Sequence, residues 1–168
     1  MHMRWNRDLA IWMLTLLPCT HASSQEMELG IQHQLGVAHN QGMELAMNGW
    51  SLDATYLHPF FANAAAGMGL ELGYTTWGSQ CLLSLNYRHG QKHFLDLEFL
   101  HGMALYQQGP QYVVGLGCSY AHGFFNARNG VLLSAGIRFS AQPAYRKYSP
   151  LYGFFDLPLR IAWSRSPK

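Results

Sequence analysis

Segment after segment of this chain alternates strictly between an apolar and a polar residue, and a period of two belongs to a β-strand with two unlike faces. The first segment sets Met27, Leu29, Ile31, Leu35 and Val37 against Glu28, Gly30, Gln32, Gln34 and Gly36. The second sets Trp50, Leu52, Ala54 and Tyr56 against Ser51, Asp53 and Thr55, and the third Met68, Leu70, Leu72 and Tyr74 against Gly69, Glu71, Gly73 and Thr75. In the fourth, Cys81, Leu83, Leu85 and Tyr87 oppose Ser84, Asn86 and Arg88. In the fifth, Leu95, Leu97, Phe99, Met103 and Leu105 oppose Asp96, Glu98, Gly102 and Ala104. The sixth has Tyr112, Val114, Leu116, Cys118 and Tyr120 opposite Gly115, Gly117, Ser119 and Ala121. The seventh has Val131, Leu133, Ala135, Ile137 and Phe139 opposite Ser134, Gly136, Arg138 and Ser140, and the eighth Phe155, Leu157, Leu159, Ile161 and Trp163 opposite Asp156, Arg160 and Ser164. Nothing after residue 25 sustains the 3.6-residue period of an amphipathic helix.

Turn-like joints separate the segments: Asn63 to Gly67, Trp77-Gly78-Ser79, His89 to Lys92, Gln108-Gly109-Pro110 and Asn126 to Gly130. Connections this short force neighbouring strands to run antiparallel, so an up-and-down meander is the simplest topology. Two joints are longer, Ala38 to Gly49 and Ala141 to Leu151. The expected fold class is therefore all-β: a closed antiparallel up-and-down transmembrane β-barrel of about eight strands.

The residues before the first strand form a separate unit. Arg4 and Arg7 precede an apolar run from Leu9 to Leu17, followed by Pro18, Cys19 and small residues to Ser24. This arrangement reads as a secretory signal peptide over residues 1–24, with the barrel domain over 25–168. The apolar run is too short to cross a bilayer as a helix, which takes ~20 residues. Cys19 after Leu16-Leu17-Pro18 loosely resembles a lipoprotein cleavage box, but Pro18 stands where a small residue belongs. A buried N-terminal helix is the alternative reading of this stretch. Only Cys81 and Cys118 remain beyond it, too few for a disulfide framework.

Alternation fits two opposite barrels, a soluble one with its apolar face inward and a membrane one with that face outward. Charged residues are 12% of the chain and aromatic ones 14%, and no lysine lies within any of the segments. A water-facing sheet normally carries many lysines and glutamates, so much of this surface is expected to face something other than water. The polar face is rich in Gly, Ser, Thr, Asn and Gln, small enough for the narrow bore of an eight-stranded barrel. The apolar face carries Tyr, Trp and Phe near segment ends, where an aromatic girdle meets the two interfaces of a membrane.

With leader, periodicity and girdle in place, residues 26–164 resemble the small outer-membrane barrels of the OmpX and OmpA transmembrane-domain type and other outer-membrane β-barrel families of this size. The resemblance implies Sec-dependent export, insertion by the barrel-assembly machinery and residence in the bacterial outer membrane. One departure concerns the last strand. Such barrels usually end on an aromatic residue, whereas here Ser164-Arg165-Ser166-Pro167-Lys168 follow Trp163.

On the inward face the charged candidates are Glu28, Asp53, Glu71, Asp96, Glu98 and Asp156 against Arg88, Arg138 and Arg160. Pairing around the joints puts Arg138 opposite Asp156 and Arg88 diagonal to Asp96, with Glu98 a step further. Ions in so narrow a bore must be paired, so these nine residues are expected to form a polar network that plugs the lumen. A proton or small-ion path is the sharper alternative, motivated by the surplus of carboxylates.

Histidines His33, His58, His101 and His122 share the apolar parity, while His39, His89 and His93 lie in or beside joints. His89 and His93 flank a turn, yet a metal site takes three or four ligands and nothing nearby completes one, so neither metal nor cofactor is expected. A lipid-directed enzyme would need a nucleophile, base and orienting group near the rim, with His39 or His101 as the base. No catalytic set is read. If the first strand rises from the periplasm, both long joints fall on the outer side. His39, Met43, Glu44 and Trp50 would border one joint, and Tyr145, Arg146, Lys147 and Tyr148 the other. Arg146 and Lys147 could meet lipopolysaccharide phosphates.

The formal charge of +2 and the lack of any larger basic cluster give no reason to expect nucleic acid. Taken together, the expectation is a monomeric, non-catalytic outer-membrane barrel serving envelope structure or surface interaction through its loops, in contact with membrane lipids including lipopolysaccharide. The alternatives are a lipid-modifying barrel enzyme and a soluble lipocalin-like barrel holding an apolar ligand.

Overall fold

In the computed structural model, residues 25–40, 43–76, 78–106, 109–125, 129–141 and 153–165 are described, and the alternation of the sequence becomes eight strands. They are β1 (Glu26–Asn40), β2 (Met43–Phe61), β3 (Ala64–Thr75), β4 (Gly78–Gly90), β5 (His93–Tyr106), β6 (Gly109–Phe125), β7 (Asn129–Ala141) and β8 (Gly153–Arg165). Each pairs antiparallel with the next, and β8 returns to β1 through pairs such as Ile31 with Ile161. The result is a closed up-and-down barrel with no free sheet edge. Closure gives every strand a partner on both sides for its backbone N–H and C=O groups.

The strands outrun the alternating segments, β2 reaching 19 residues and β6 17. The clearest correction concerns the joint from Ala38 to Gly49. Pairing of β1 with β2 continues from Gln34 with Gly49 out to Asn40 with Met43, so a projecting hairpin stands where a long loop is expected. The stretch Asn63 to Gly67 is likewise mostly strand, with Ala64, Ala65, Ala66 and Gly67 pairing with His89 to Asn86. Three alanines and a glycine carry no alternation, which is why they look like a joint. At Gly67 a Cβ would collide with the Tyr56 carbonyl, so glycine lets the two backbones meet there. Pro59, which has no N–H for a ladder, sits beside a register shift between Pro59 and Phe61.

Which face lies outside is settled by exposure. Leu83, Leu97 and Leu159 are 50%, 43% and 48% exposed, whereas Glu71 is 4% and Glu28 0%. Outward aromatics gather toward both rims. Trp50, Tyr74, Tyr112, Phe139 and Phe155 lie toward the end carrying the β1–β2 hairpin tip, and Tyr56, Tyr87, Tyr120, Phe124 and Trp163 toward the end carrying the termini of the barrel. Leu, Ile, Val and Met make up most of the belt between them, with Phe99, His101 and Cys81 interspersed. This is the reverse of a soluble ligand-binding barrel, whose apolar residues line the interior.

Candidate functional site

The bore concentrates the charge of the molecule. Arg88 on β4 donates from Nε and Nη2 to Asp96 on β5, at 2.7 and 2.8 Å, and from Nη1 to Glu28 on β1, with Glu26 at 3.7 Å. Glu28 also accepts from Arg160 on β8 at 3.0 Å, and Arg160 in turn grips both oxygens of Asp53 on β2. One chain of ion pairs therefore ties β5, β4, β1, β8 and β2 together through the middle of the barrel.

A second cluster lies beside it. Arg138 on β7 donates to Glu98 on β5 at 2.9 Å and to Glu71 on β3 at 3.0 Å. Glu71 also accepts from Gln34 at 2.6 Å and Gln80 at 2.8 Å, and Gln80 donates to Gln34 at 3.2 Å. A guanidinium presents five N–H donors in a planar fork, so one arginine can hold two carboxylates from different strands. That is how three arginines engage five of the six inward carboxylates singled out from the sequence.

Asp156 is the sixth, and its placement differs from the simplest reading of the register. Arg138 and Asp156 are directly opposite on β7 and β8, as the joint suggests. The Arg138 guanidinium nevertheless spans the bore to Glu71 and Glu98, and Asp156 Oδ1 has no hydrogen-bond partner although Asp156 is buried. Arg88 is directly opposite Asp96 and not diagonal to it, because Gly90, with φ of +129°, pairs with Phe94 across the turn.

Strand β6 supplies no ion to either cluster and instead makes room. At Gly117 a side chain would collide with the Glu98 carboxylate, and at Gly30 on β1 a Cβ would lie 2.5 Å from Asp53 Oδ2 and 2.8 Å from Arg160 Nε. These glycines are the space into which the charged groups fold.

Apolar layers flank the ions, and the sequence reading missed them. Phe94, Ala121, Leu132 and Ala162 cluster inside toward the end that carries the barrel's termini, with the Arg88 guanidinium 4.8 Å from the Phe94 ring centre, within cation–π range. Leu82, Leu100, Ala104 and Val113 cluster on the other side of the charged layer. Their signal was present as doublets that break the alternation: Leu82-Leu83, Phe94-Leu95, Phe99-Leu100 and Leu132-Leu133. In each pair one residue faces out and its neighbour faces in. A cavity of about 60 Å³ remains among the ion pairs, lined by Gln32, Asp53, Glu71, Arg88, Arg138 and Arg160. That is room for a few water molecules.

The bore is thus polar at its centre and apolar at its flanks, and the outer wall is mostly apolar, with a few histidines and tyrosines among its aliphatic side chains. The protein is a small eight-stranded barrel turned apolar side out. The chain matches no family model and no curated protein. Among solved structures it is similar to Neisserial surface protein A, at 10% identity and TM-score 0.47, covering 83% of this chain and 96% of that one. It is also similar to Ail of Yersinia pestis, solved with the heparin analogue sucrose octasulfate, at 11% identity, TM-score 0.48 and coverage of 85% and 99%. A third is the translocator domain of the autotransporter NalP from Neisseria meningitidis, at 12% identity, TM-score 0.41 and coverage of 95% of both chains.

The remaining sequence candidates fall as follows. Arg146 and Lys147 lie outside the described residues, as do the side chains of His39, Met43 and Glu44. Trp50 is outward and packs against His33 at 4.3 Å between ring centres, and His33 Nε2 meets Asn48 Oδ1 at 2.7 Å. His101 is outward beside the rings of Phe99 and Tyr112, so its ring neighbours are aromatic. His89 pairs with Leu95, and His93 faces His122, so the two histidines that flank the turn are not partners. Cys81 and Cys118 are free thiols on the outer wall.

Proposed function

We propose that this chain is an integral protein of the bacterial outer membrane, exported through the Sec pathway and inserted by the barrel-assembly machinery. Its bore is plugged by the Arg88, Arg138 and Arg160 ion pairs, and it serves, without catalysis, in envelope structure or surface interaction through its rim. The observation that carries this reading is the pairing of an apolar outer wall with guanidinium bridges that cross the interior from strand to strand. A closed barrel with that wall has its lowest free energy among acyl chains, where backbone groups must be satisfied internally. Buried ions bound in this way fix strand register and fill the section through which solutes would pass.

The projecting β1–β2 hairpin and the 142–152 connection share one end of the barrel, opposite the strand termini. With those termini in the periplasm, that end faces outward and is the surface available to partners. Arg146 and Lys147 fall in this connection, and there they would contact lipopolysaccharide phosphates. The test of the plug is planar-bilayer recording of the refolded protein. A silent bilayer at high protein loading is expected, and steady ohmic conductance would replace the plug by a proton or small-ion path.

A further inference from the structure

Outside the bore, three polar side chains converge on the outer wall near the end that carries the barrel's termini. His93 opens β5 just after the turn at Gln91 and Lys92, and its directly opposite partner on β6 is His122. The two Nδ1 atoms are 3.2 Å apart, and the Tyr120 hydroxyl lies 2.5 Å from His93 Nδ1. The rings are close, 4.6 Å between the two imidazole centres, and Phe124 braces His122 edge-on at 4.5 Å.

Hydrogen bonding serves this arrangement only through a three-centre bond in which His122 and Tyr120 share His93 Nδ1. A neutral imidazole Nδ1 offers either one N–H or one lone pair, so His93 Nδ1 can make one good hydrogen bond, yet two polar atoms press on it. Protonating both rings would place two cations side by side. A divalent metal ion removes the conflict, because it accepts a lone pair from each nitrogen and one from the phenol oxygen, whose proton passes to solvent as the ion binds. The two nitrogens fit: metal–N bonds of ~2.05 Å to nitrogens 3.2 Å apart enclose an angle of about 100°, between octahedral and tetrahedral values, while the phenol oxygen, 2.5 Å from His93 Nδ1, must swing away by roughly 0.4 Å to reach a coordination angle of about 90°. Imidazole donors with one oxygen suit zinc, copper and nickel, and not calcium or magnesium, which prefer oxygen donors.

We propose that His93 and His122, with Tyr120, form a surface site for one borderline divalent cation, clamping β5 to β6 at the membrane rim and leaving the remaining positions to water. Among the described residues no three His, Cys, Asp or Glu side chains gather into a metal cluster, so this site depends on the phenol as its third donor.

The test uses the full chain folded in detergent micelles, titrated with Cu2+ alone and read by calorimetry and by electron paramagnetic resonance. Wild type is expected to bind one Cu2+ with a signal split by two imidazole nitrogens. His93→Ala and His122→Ala are each expected to weaken that binding by more than about tenfold while keeping the heat-modifiable migration of a folded barrel. His101→Ala, on the same strand and face, should bind as wild type does. The proposal is overturned if wild type shows no saturable binding, or if the double variant His93→Ala/His122→Ala binds Cu2+ as tightly as wild type.

Discussion

Replacing Arg138 by methionine is the sharpest probe of the bore. The guanidinium is 3% exposed and holds Glu98 at 2.9 Å and Glu71 at 3.0 Å, with Asp156 opposite on the neighbouring strand. Methionine keeps most of the stem but removes every donor, leaving three carboxylates in one low-dielectric layer without a cation. Removing one partner of a buried ion pair costs ~3–5 kcal/mol, because the other charge stays buried without compensation. Arg138→Met is expected to lose about that much, read as a shift in the urea midpoint of refolding into lipid vesicles. Adding Glu71→Gln should return part of the loss, since the neutral amide keeps the volume and can still bond Gln34 and Gln80. A double variant more stable than Arg138→Met, with a coupling of ~1–3 kcal/mol, is the expected outcome of the cycle. If Arg138→Met stays within about 1 kcal/mol of wild type, the ion pairs are not what holds this layer, and the reasoning fails.

Two further substitutions test neighbouring parts of the same picture. Gly117→Val should cost ~1–3 kcal/mol in the same refolding assay, because its side chain meets the Glu98 carboxylate and must displace an ion that Arg138 holds. Leu83→Arg on the outer wall, near the middle of β4, should cost ~2–4 kcal/mol in vesicles. A neutral result there would mean that the wall does not face lipid.

The alternation made the eight strands, their inward parity and the nine charged lumen residues legible, because a pleated strand gives sequence parity a direct spatial meaning. Three things escaped it, each for a physical reason. The β1–β2 hairpin looked like a loop because residues 38–49 lose the alternation, and backbone pairing does not require it. The apolar layers of Phe94, Leu100 and Leu132 were hidden by outward neighbours of the same character, so a buried residue and a lipid-facing one read alike. Partner choice among the ions was beyond reach as well. An arginine side chain spans most of a narrow bore, so Arg138 passes over its register partner Asp156 to reach Glu71 and Glu98. The same holds for His93 and His122, since 28 residues separate them between their positions in the chain and only the β5–β6 register joins them.

Orientation of the wall underlies everything else, and a nitroxide scan along β5 measures it directly. Single cysteines at residues 95 to 100, spin-labelled in the variant that lacks Cys19, Cys81 and Cys118 and reconstituted in lipid bilayers, report collision with oxygen dissolved among the acyl chains. Labels replacing Leu95, Leu97 and Phe99 should collide freely, and those replacing Asp96, Glu98 and Leu100 should be shielded. The opposite phase, or no period of two at all, would contradict a barrel with its greasy side toward lipid and its ions enclosed.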